Sequence, residues 1–255
     1  MSTYIFELIH SNIWGPSSIS DIGGSRYFIV FVDDYSRYSW ILHMKHRSKL
    51  LQVYFNFAKM VEAKFSNRIK IFWSNNALEY TQHAFQAILH SYGTIHHLIY
   101  PGTSQQNGRA KWKFHHILDI VCALLLSAKV SAPFWGEAIN RIPNTVIQNQ
   151  TPYECLFGSP SNYHHIHSFN SAYFVLLQSH EHNERDPQSR LCCFLGYGET
   201  QKGYQCYDLV SHHFRISQNF FFWEHRFFVE LFHFCASLST YSILELFSNE
   251  SHIPL

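Results

Sequence analysis

The sequence is poor in charge. Only 15% of its 255 residues are Asp, Glu, Lys or Arg, where about 25% is usual, and the formal net charge is +1. Strong binders of polyanions usually carry more positive charge, so any affinity for nucleic acid has to come from local clusters. Hydrophobic residues make up 46%, which is enough for a packed core and argues against global disorder. With so few charges the surface is expected to be apolar, which favours self-association.

Long apolar runs and paired metal ligands are also missing. The most apolar stretch, Ile120–Ala128, is far shorter than the ~20 residues of a membrane span. Met1–Tyr4 lack the basic region of a secretory signal. The six cysteines contain no Cys-x-x-Cys pair, and adjacent histidines such as His96 and His97 point to opposite faces of a strand. We therefore predict an intracellular protein, nuclear or cytoplasmic, with reduced thiols, no metal site and no membrane contact.

The first half of the chain alternates between the patterns of strands and helices. Arg26–Asp33 is a long apolar run after a Gly-Gly turn, which is typical of a central strand. Apolar residues recur every three or four positions in Ser48–Phe65 and again from Ala110 to Leu125, which predicts amphipathic helices. The order β-β-β-α-β-α-β-α predicts an α/β domain over residues 1–135, with a mixed sheet and flanking helices as in ribonuclease-H-like folds.

The second half changes character. Residues 136–167 contain three prolines and are predicted to form an irregular connector. Residues 168–224 read as short strands separated by turn residues, which predicts a small all-β antiparallel module. Residues 225–255 are apolar without periodicity and are interpreted as a poorly ordered tail.

Eight short segments carry a resemblance to a known family. They are His10–Pro16, Phe31–Arg37, Ser74–Tyr80, Gln105–Lys113, Ala132–Ala138, Asn140–Pro143, Thr151–Glu154 and Phe194–Tyr197. In this order they resemble the integrase region of copia-type retrotransposon polyproteins, over about residues 5–225. The resemblance implies a fragment of the polyprotein, with a ribonuclease-H-like catalytic core and then an SH3-like module. It also implies a family that cuts and joins DNA ends with two Mg²⁺ ions.

The three acidic positions that the resemblance implies are occupied by other residues. They fall at Asn12, Asn75 and Lys111, which raises the formal charge of the site by about four units relative to three carboxylates. An ammonium in the place of a cation would repel a unit charge ~4 Å away by roughly 4 kcal/mol at an effective dielectric of about 20, and a divalent ion by about twice that. We therefore predict a degenerate, catalytically inactive integrase that takes no cofactor.

Two alternatives remain open. Asp33, Asp34 or Glu79 could supply carboxylates for a residual metal-dependent nuclease, although each also suits a turn or a helix start. The apolar surface could also serve a host-recruited protein-interaction module.

Basic residues are the remaining candidates for a site. Arg109, Lys113, Lys70 and Arg68 are predicted as weak contacts to DNA phosphates. Helical spacing is expected to turn Lys111 toward the sheet and to leave Arg109 and Lys113 on a more exposed face. Three tryptophans are expected in the core rather than as platforms for base stacking, namely Trp14, Trp40 and Trp135.

Overall fold

The structure is a computed structural model. It describes residues 2–99, 108–128, 130, 132–140, 151–160, 167–177, 187–198, 201–208, 211, 213–218 and 220–227. The chain divides into two compact units: Met1–Ile120 with Ile142–Asn162, and Val121–Arg141 with Tyr163–Leu255. Within the described ranges, no helix combines the length and the apolarity that crossing a membrane requires.

Ten strands and six helices make up the described part of the chain. They are β1 Leu8–Trp14, β2 Tyr27–Asp33, β3 Ser39–Met44, α1 Leu50–Phe65, β4 Ile71–Ser74, α2 Leu78–Thr81, α3 His83–Ser91, β5 Ile95–Leu98, α4 Gly108–Ser127, α5 Trp135–Ile139, α6 Pro152–Phe157, β6 Ser171–Leu176, β7 Ser189–Tyr197, β8 Tyr204–Asp208, β9 His213–Ser217 and β10 Phe220–Phe227. The division between the units passes through α4 after Ile120.

The first unit is built on a mixed sheet in the order β3-β2-β1-β4-β5. The first three strands pair antiparallel, whereas β4 and β5 add in parallel, each after a helix. Six of the seven residues of β2 are buried, because this strand is covered on both faces. The predicted α/β fold with a mixed sheet and flanking helices is confirmed.

The two faces of the sheet are covered by different helices. α1 buries a stripe that includes Tyr54 and Phe57, and the ring of Phe57 stacks on Phe31 of β2 at 4.3 Å. On the other face, Phe114 of α4 stacks on Phe28 of β2 at 5.6 Å. Neighbouring residues of a strand point to opposite faces of the sheet. Every second residue of β1 and β2 therefore faces α4, and the others face α1.

Local chemistry sets the ends of the helices. α1 stops at Ser66, which adopts a left-handed conformation with φ 49°. Gly93 follows α3 with φ +66°, a left-handed conformation that glycine adopts without strain and that closes the helix. α6 begins with a capping box, in which the Thr151 side chain accepts from the Glu154 backbone and the Glu154 carboxylate accepts from the Thr151 backbone.

The second unit contains an antiparallel sheet in the order β10-β6-β7-β8-β9. Its core is aromatic and centres on Tyr173 and Phe194, both fully buried, with Cys192 and Cys206 beside them. At one end of β8, the buried carboxylate of Asp208 accepts hydrogen bonds from two arginines and from Ser211. The all-β module predicted from short strands and turns is confirmed.

Some sequence expectations differ from the structure or lie outside it. Helices α5 and α6 fall largely within the stretch 136–167, which the sequence suggested was irregular; their short length leaves little periodicity to detect. Of the tail predicted over 225–255, only 225–227 are described, as the end of β10. The domain boundaries stay a prediction.

Candidate functional site

Two of the three predicted acidic positions meet directly. Asn12 lies on β1, and Asn75 follows the last residue of the neighbouring parallel strand β4. Nδ2 of Asn75 donates a hydrogen bond to Oδ1 of Asn12 over 3.1 Å. Oδ1 of Asn75 accepts from the backbone N–H of Ala77 at 3.2 Å. A neutral amide N–H therefore bridges two side chains at a place where two carboxylates would need a cation between them.

The third position, Lys111, lies on the helix that covers the same face of the sheet. Trp14 is two residues after Asn12 and points to the same side of β1. Its ring lies 6.5 Å from that of Phe114, one helical turn after Lys111. Lys111 is half-buried, and no carboxylate pairs with its ammonium among the described residues. Two amides are thus bonded to each other on the sheet, and Lys111 lies on the helix that covers that face.

The expected contrast between the two lysines of α4 was wrong. Ala110 and Phe114 are buried and belong to the apolar stripe of the helix, and Lys111 and Lys113 lie on its two borders. Both lysines are therefore half-buried, as is Arg109. Burial lowers the pKa of Lys113 to about 8. The apolar stripe is wide enough to bury parts of both Lys111 and Lys113. Helical spacing gives the direction of a side chain but not the width of the buried stripe.

A hydrogen-bonded chain supports the segment that carries Asn75. Nε2 of Gln86 donates to Nδ1 of His96 at 2.7 Å, so the other ring nitrogen of His96 carries the proton. That nitrogen lies 2.8 Å from Oγ of Ser74, which itself donates to the backbone oxygen of Asn75 at 3.1 Å. Burial, and then the nearby His97, lower the pKa of His96 to about 4. The neutral imidazole fixes the end of β4.

Nothing in the single sequence pointed to the role of Gln86 or His96. The expectation that His96 and His97 point to opposite faces is confirmed, because His97 instead meets Trp73 edge-on at 6.0 Å. No cluster of three or more His, Cys, Asp and Glu side chains suited to a metal ion occurs in the described part of the chain.

Asp33, one of the alternative ligands, is fully buried, and its carboxylate is hydrogen-bonded within the protein. Its carboxylate accepts from the backbone N–H of Phe6 at 2.8 Å, and from the backbone and hydroxyl of Ser36 at 2.8 and 2.6 Å. Burial raises the pKa of Asp33, and these donors oppose the rise. The carboxylate closes the turn between β2 and β3.

Asp34 is the centre of a second buried network. Its carboxylate accepts from Ser2 at 2.9 Å and lies 3.2 Å from Nε2 of His10, 3.1 Å from the guanidinium of Arg37 and 2.6 Å from that of Arg109. Burial alone would raise the pKa of Asp34, but the hydrogen bonds from His10 and Ser2 and the charge of Arg109 outweigh it and hold the pKa well below its ordinary value. Arg109, predicted as a contact to DNA, is thus tied to the sheet by an ion pair.

The remaining candidates are dispersed. Glu79, at the start of α2, lies 3.4 Å from the guanidinium of Arg47. Arg68 makes an exposed pair with Glu62 at 2.7 Å. Arg68 and the exposed Lys70 precede β4, at the end of that strand opposite to Asn75. The four basic residues therefore do not form one patch around Asn12 and Asn75, and their contact with DNA stays a prediction.

The fold defines a class of protein. A mixed five-stranded sheet in this order with flanking helices is the arrangement of an integrase core. Residues 6–104 match the family described as integrase core domain, and residues 171–231 match the retroviral polymerase SH3-like domain.

Several known proteins are similar to this chain. The retrovirus-related Pol polyprotein from transposon RE1 of Arabidopsis thaliana is 32% identical over 233 residues, which is 86% of this chain and 16% of the polyprotein. The polyprotein from transposon TNT 1-94 of Nicotiana tabacum is 32% identical over 214 residues, 81% of this chain and 16% of its own length. The chain therefore spans only about a sixth of these relatives.

Solved structures share the fold. A chain of the simian T-cell lymphotropic virus intasome, determined in complex with the PP2A regulatory subunit B56 gamma, matches with a TM-score of 0.50 and 11% identity over 80% of this chain and 77% of that one. The protein belongs to the integrase family of copia-type retrotransposon Pol polyproteins, and it carries an integrase core domain followed by an SH3-like domain.

Proposed function

We propose that this chain is a catalytically inactive member of its family that holds nucleic acid weakly and without a metal ion. The observation that carries the proposal is the hydrogen bond from Asn75 to Asn12. The family's two-metal chemistry needs anionic oxygens that hold both cations and stabilise the attacking and leaving groups. Two neutral amides bonded to each other do not supply them.

The residues of the site do not fit Mg²⁺. This ion is hard and prefers carboxylate and water oxygens in octahedral geometry. Here both side-chain oxygens of Asn12 and Asn75 already accept hydrogen bonds, and Lys111 adds a positive charge on the helix above them. These residues therefore support no metal-dependent step.

The alternative of a residual nuclease draws no support from the neighbouring carboxylates. Asp33 and Asp34 are buried, and each is surrounded by protein donors. Glu79 faces Arg47. Binding a cation at any of the three would require breaking these contacts, which for the buried ion pairs of Asp34 costs about 3–5 kcal/mol. The partly exposed contact of Glu79 with Arg47 would cost less.

The support for nucleic-acid binding is modest and local. α4 carries three cations before its first acidic residue, Asp119, and two of them, Lys111 and Lys113, have no carboxylate partner among the described residues. The formal net charge of +1 limits the long-range attraction. We therefore expect binding that weakens steeply with salt and does not depend on divalent cations.

The test is a cleavage and binding assay with the full chain. A DNA duplex labelled at its end is incubated with Mg²⁺ or Mn²⁺, and binding to the same duplex is measured in EDTA at low salt. We expect no cleavage and unchanged binding in EDTA. Cutting that requires Mn²⁺ and disappears in Glu79→Gln, or in Asp34→Asn when unfolding curves show that variant to be folded, would establish the nuclease instead. Absence of binding at low salt would overturn the second half of the proposal.

A further inference from the structure

Among the five tryptophans whose burial the structure describes, Trp112 alone is exposed. Its side chain is 79% exposed, whereas Trp14 and Trp135 are buried and Trp40 and Trp73 are half-buried. The core role predicted for Trp14, Trp40 and Trp135 is thus confirmed. A large aromatic ring held in water on a helix leaves apolar area uncovered, which is typical of a contact surface.

The setting of Trp112 is cationic. Lys111 and Lys113 lie on either side of it in the sequence of α4 and project from the two borders of the buried stripe. The residue one turn earlier, Gly108, has no side chain, and a Cβ there would lie 3.9 Å from Cδ1 of Trp112. The indole therefore lies beside Gly108, which has no side chain to cover it, and between Gly108 and His116 the helix has no carboxylate.

An aromatic ring between ammonium groups suits a particular ligand. The faces of unpaired bases stack on exposed aromatic side chains, while lysines neutralise the neighbouring phosphates. In a duplex the base faces are stacked on one another, so that only the phosphates remain for this surface. A purely apolar protein partner would have no use for the flanking charges.

We propose that Trp112, with Lys111 and Lys113, forms a stacking platform that gives this chain a preference for single-stranded over duplex nucleic acid. This inference rests on the proposed function and deepens it by naming the form of nucleic acid that is bound. Arg109 is not part of the platform, because it is paired with Asp34. The preference comes from the ring, whereas the lysines contribute to the binding of either form.

The test compares two forms of DNA and two matched variants. The full chain is titrated in EDTA with oligothymidylate of about 15 nucleotides, a length within the span that stacking platforms cover, and with a duplex of similar length. Trp112→Ala should weaken single-strand binding by about fivefold to a hundredfold and leave duplex binding nearly unchanged. Trp112→Phe should retain most of the affinity, since it keeps an aromatic face. Leu78→Ala removes an equally exposed apolar side chain and should change neither single-strand nor duplex binding.

Fluorescence gives an independent readout. The emission that Trp112→Phe removes should be quenched when oligothymidylate binds to the unaltered chain. Equal affinity for both forms, or unchanged single-strand binding by Trp112→Ala, would overturn the platform while leaving the proposed function intact. If neither form binds at low salt, both proposals fail. Unfolding curves of the variants check that the exposed substitutions leave the fold unchanged.

Discussion

The side-chain amide of Asn75 donates a hydrogen bond to the side-chain oxygen of Asn12 over 3.1 Å. This contact joins β1 to the segment after β4, where we predicted two of the family's acidic positions from the sequence motifs. Two carboxylates cannot make such a bond with each other when both are ionised, and they would repel without a cation. The two neutral amides instead complete the junction with a hydrogen bond of their own.

The first prediction concerns this junction. Asn12→Asp alone should leave the free energy of unfolding nearly unchanged, because Asn75 can donate to a carboxylate as well as to an amide. The double variant Asn12→Asp/Asn75→Asp loses the bond and places like charges together, so it should be less stable by about 1–3 kcal/mol in EDTA. Urea unfolding at neutral pH measures both.

Adding Lys111→Glu to the double variant extends the same prediction. We expect Mg²⁺ to stabilise only the triple variant, because the ammonium of Lys111 opposes the ion in the double variant. Calorimetric titration with Mg²⁺ checks this result. Tight Mg²⁺ binding by the unaltered chain would show that the amides are adequate ligands and would contradict the account of the site.

The second prediction concerns Asp34. Replacing it with Asn leaves Arg109 and Arg37 without their buried counter-charge, and should lower the free energy of unfolding by about 3–5 kcal/mol. The matched control is Glu62→Gln, which removes a carboxylate from the exposed pair with Arg68 and should cost less than about 1 kcal/mol. Equal effects of the two substitutions would mean that the buried network contributes no more than a surface pair.

The network of Asp34 also sets a pH dependence. Since the pKa of Asp34 is lower in the folded chain than in the unfolded one, the unfolded chain takes up the proton first in acid. The stability that Asp34 contributes should be complete above about pH 5 and be lost as the pH falls below about 4. The difference in unfolding free energy between the unaltered chain and Asp34→Asn should shrink as the pH falls below about 4.

The third prediction concerns His96. Its folded pKa of about 4 lies below the ordinary value of about 6.5, so between these values only the unfolded chain binds the proton. Stability should fall as the pH drops from about 6.5 to 4, by about 1–2 kcal/mol once the partial exposure of the ring is taken into account. His96→Gln should remove this slope, whereas His97→Gln, at the exposed neighbour, should keep it. Denaturant unfolding at pH 7 and pH 4.5 gives the comparison.

The fourth prediction concerns Lys113. Its pKa of about 8, against 10.5 for a free lysine, means that the folded chain carries the cost of a half-buried charge at pH 7. Lys113→Met should raise the unfolding free energy at pH 7 by about 1–2 kcal/mol, after a discount for exposure, while Lys70→Met should change it by less than about 0.5. Between pH 8 and about 10 the unfolded chain alone keeps the proton, so the unaltered chain gains stability and the advantage of Lys113→Met should disappear.

Much of the fold follows from local patterns of the sequence. The apolar run of β2 and the helical spacing in α1 and α4 each report burial directly, so the mixed sheet and its covering helices could be predicted. The strands of the second unit could be predicted from short apolar segments that turn residues separate. Helices α5 and α6 were missed because five or six residues give too few repeats to show a period.

The candidate site was only half visible in the sequence. The order of motifs located Asn12, Asn75 and Lys111, but it could not say which side chains would bond to one another. Gln86 and His96 support Asn75 through contacts that no motif encodes. The burial of Lys113 depends on how closely α4 packs against the sheet, which the sequence alone does not give.

By itself, the sequence determined the class of fold and the family, because burial patterns and residue identity are local properties of a chain; the loss of three acidic side chains stays a prediction. The tertiary structure alone decided how the remaining charges are used. Asp34 and Arg109 are 75 positions apart and meet only when α4 lies on the sheet. Their pairing holds Arg109 against the sheet, while the same helix leaves Trp112 in water. Partner choice among polar groups depends on distances that folding creates, and the order of residues does not contain them.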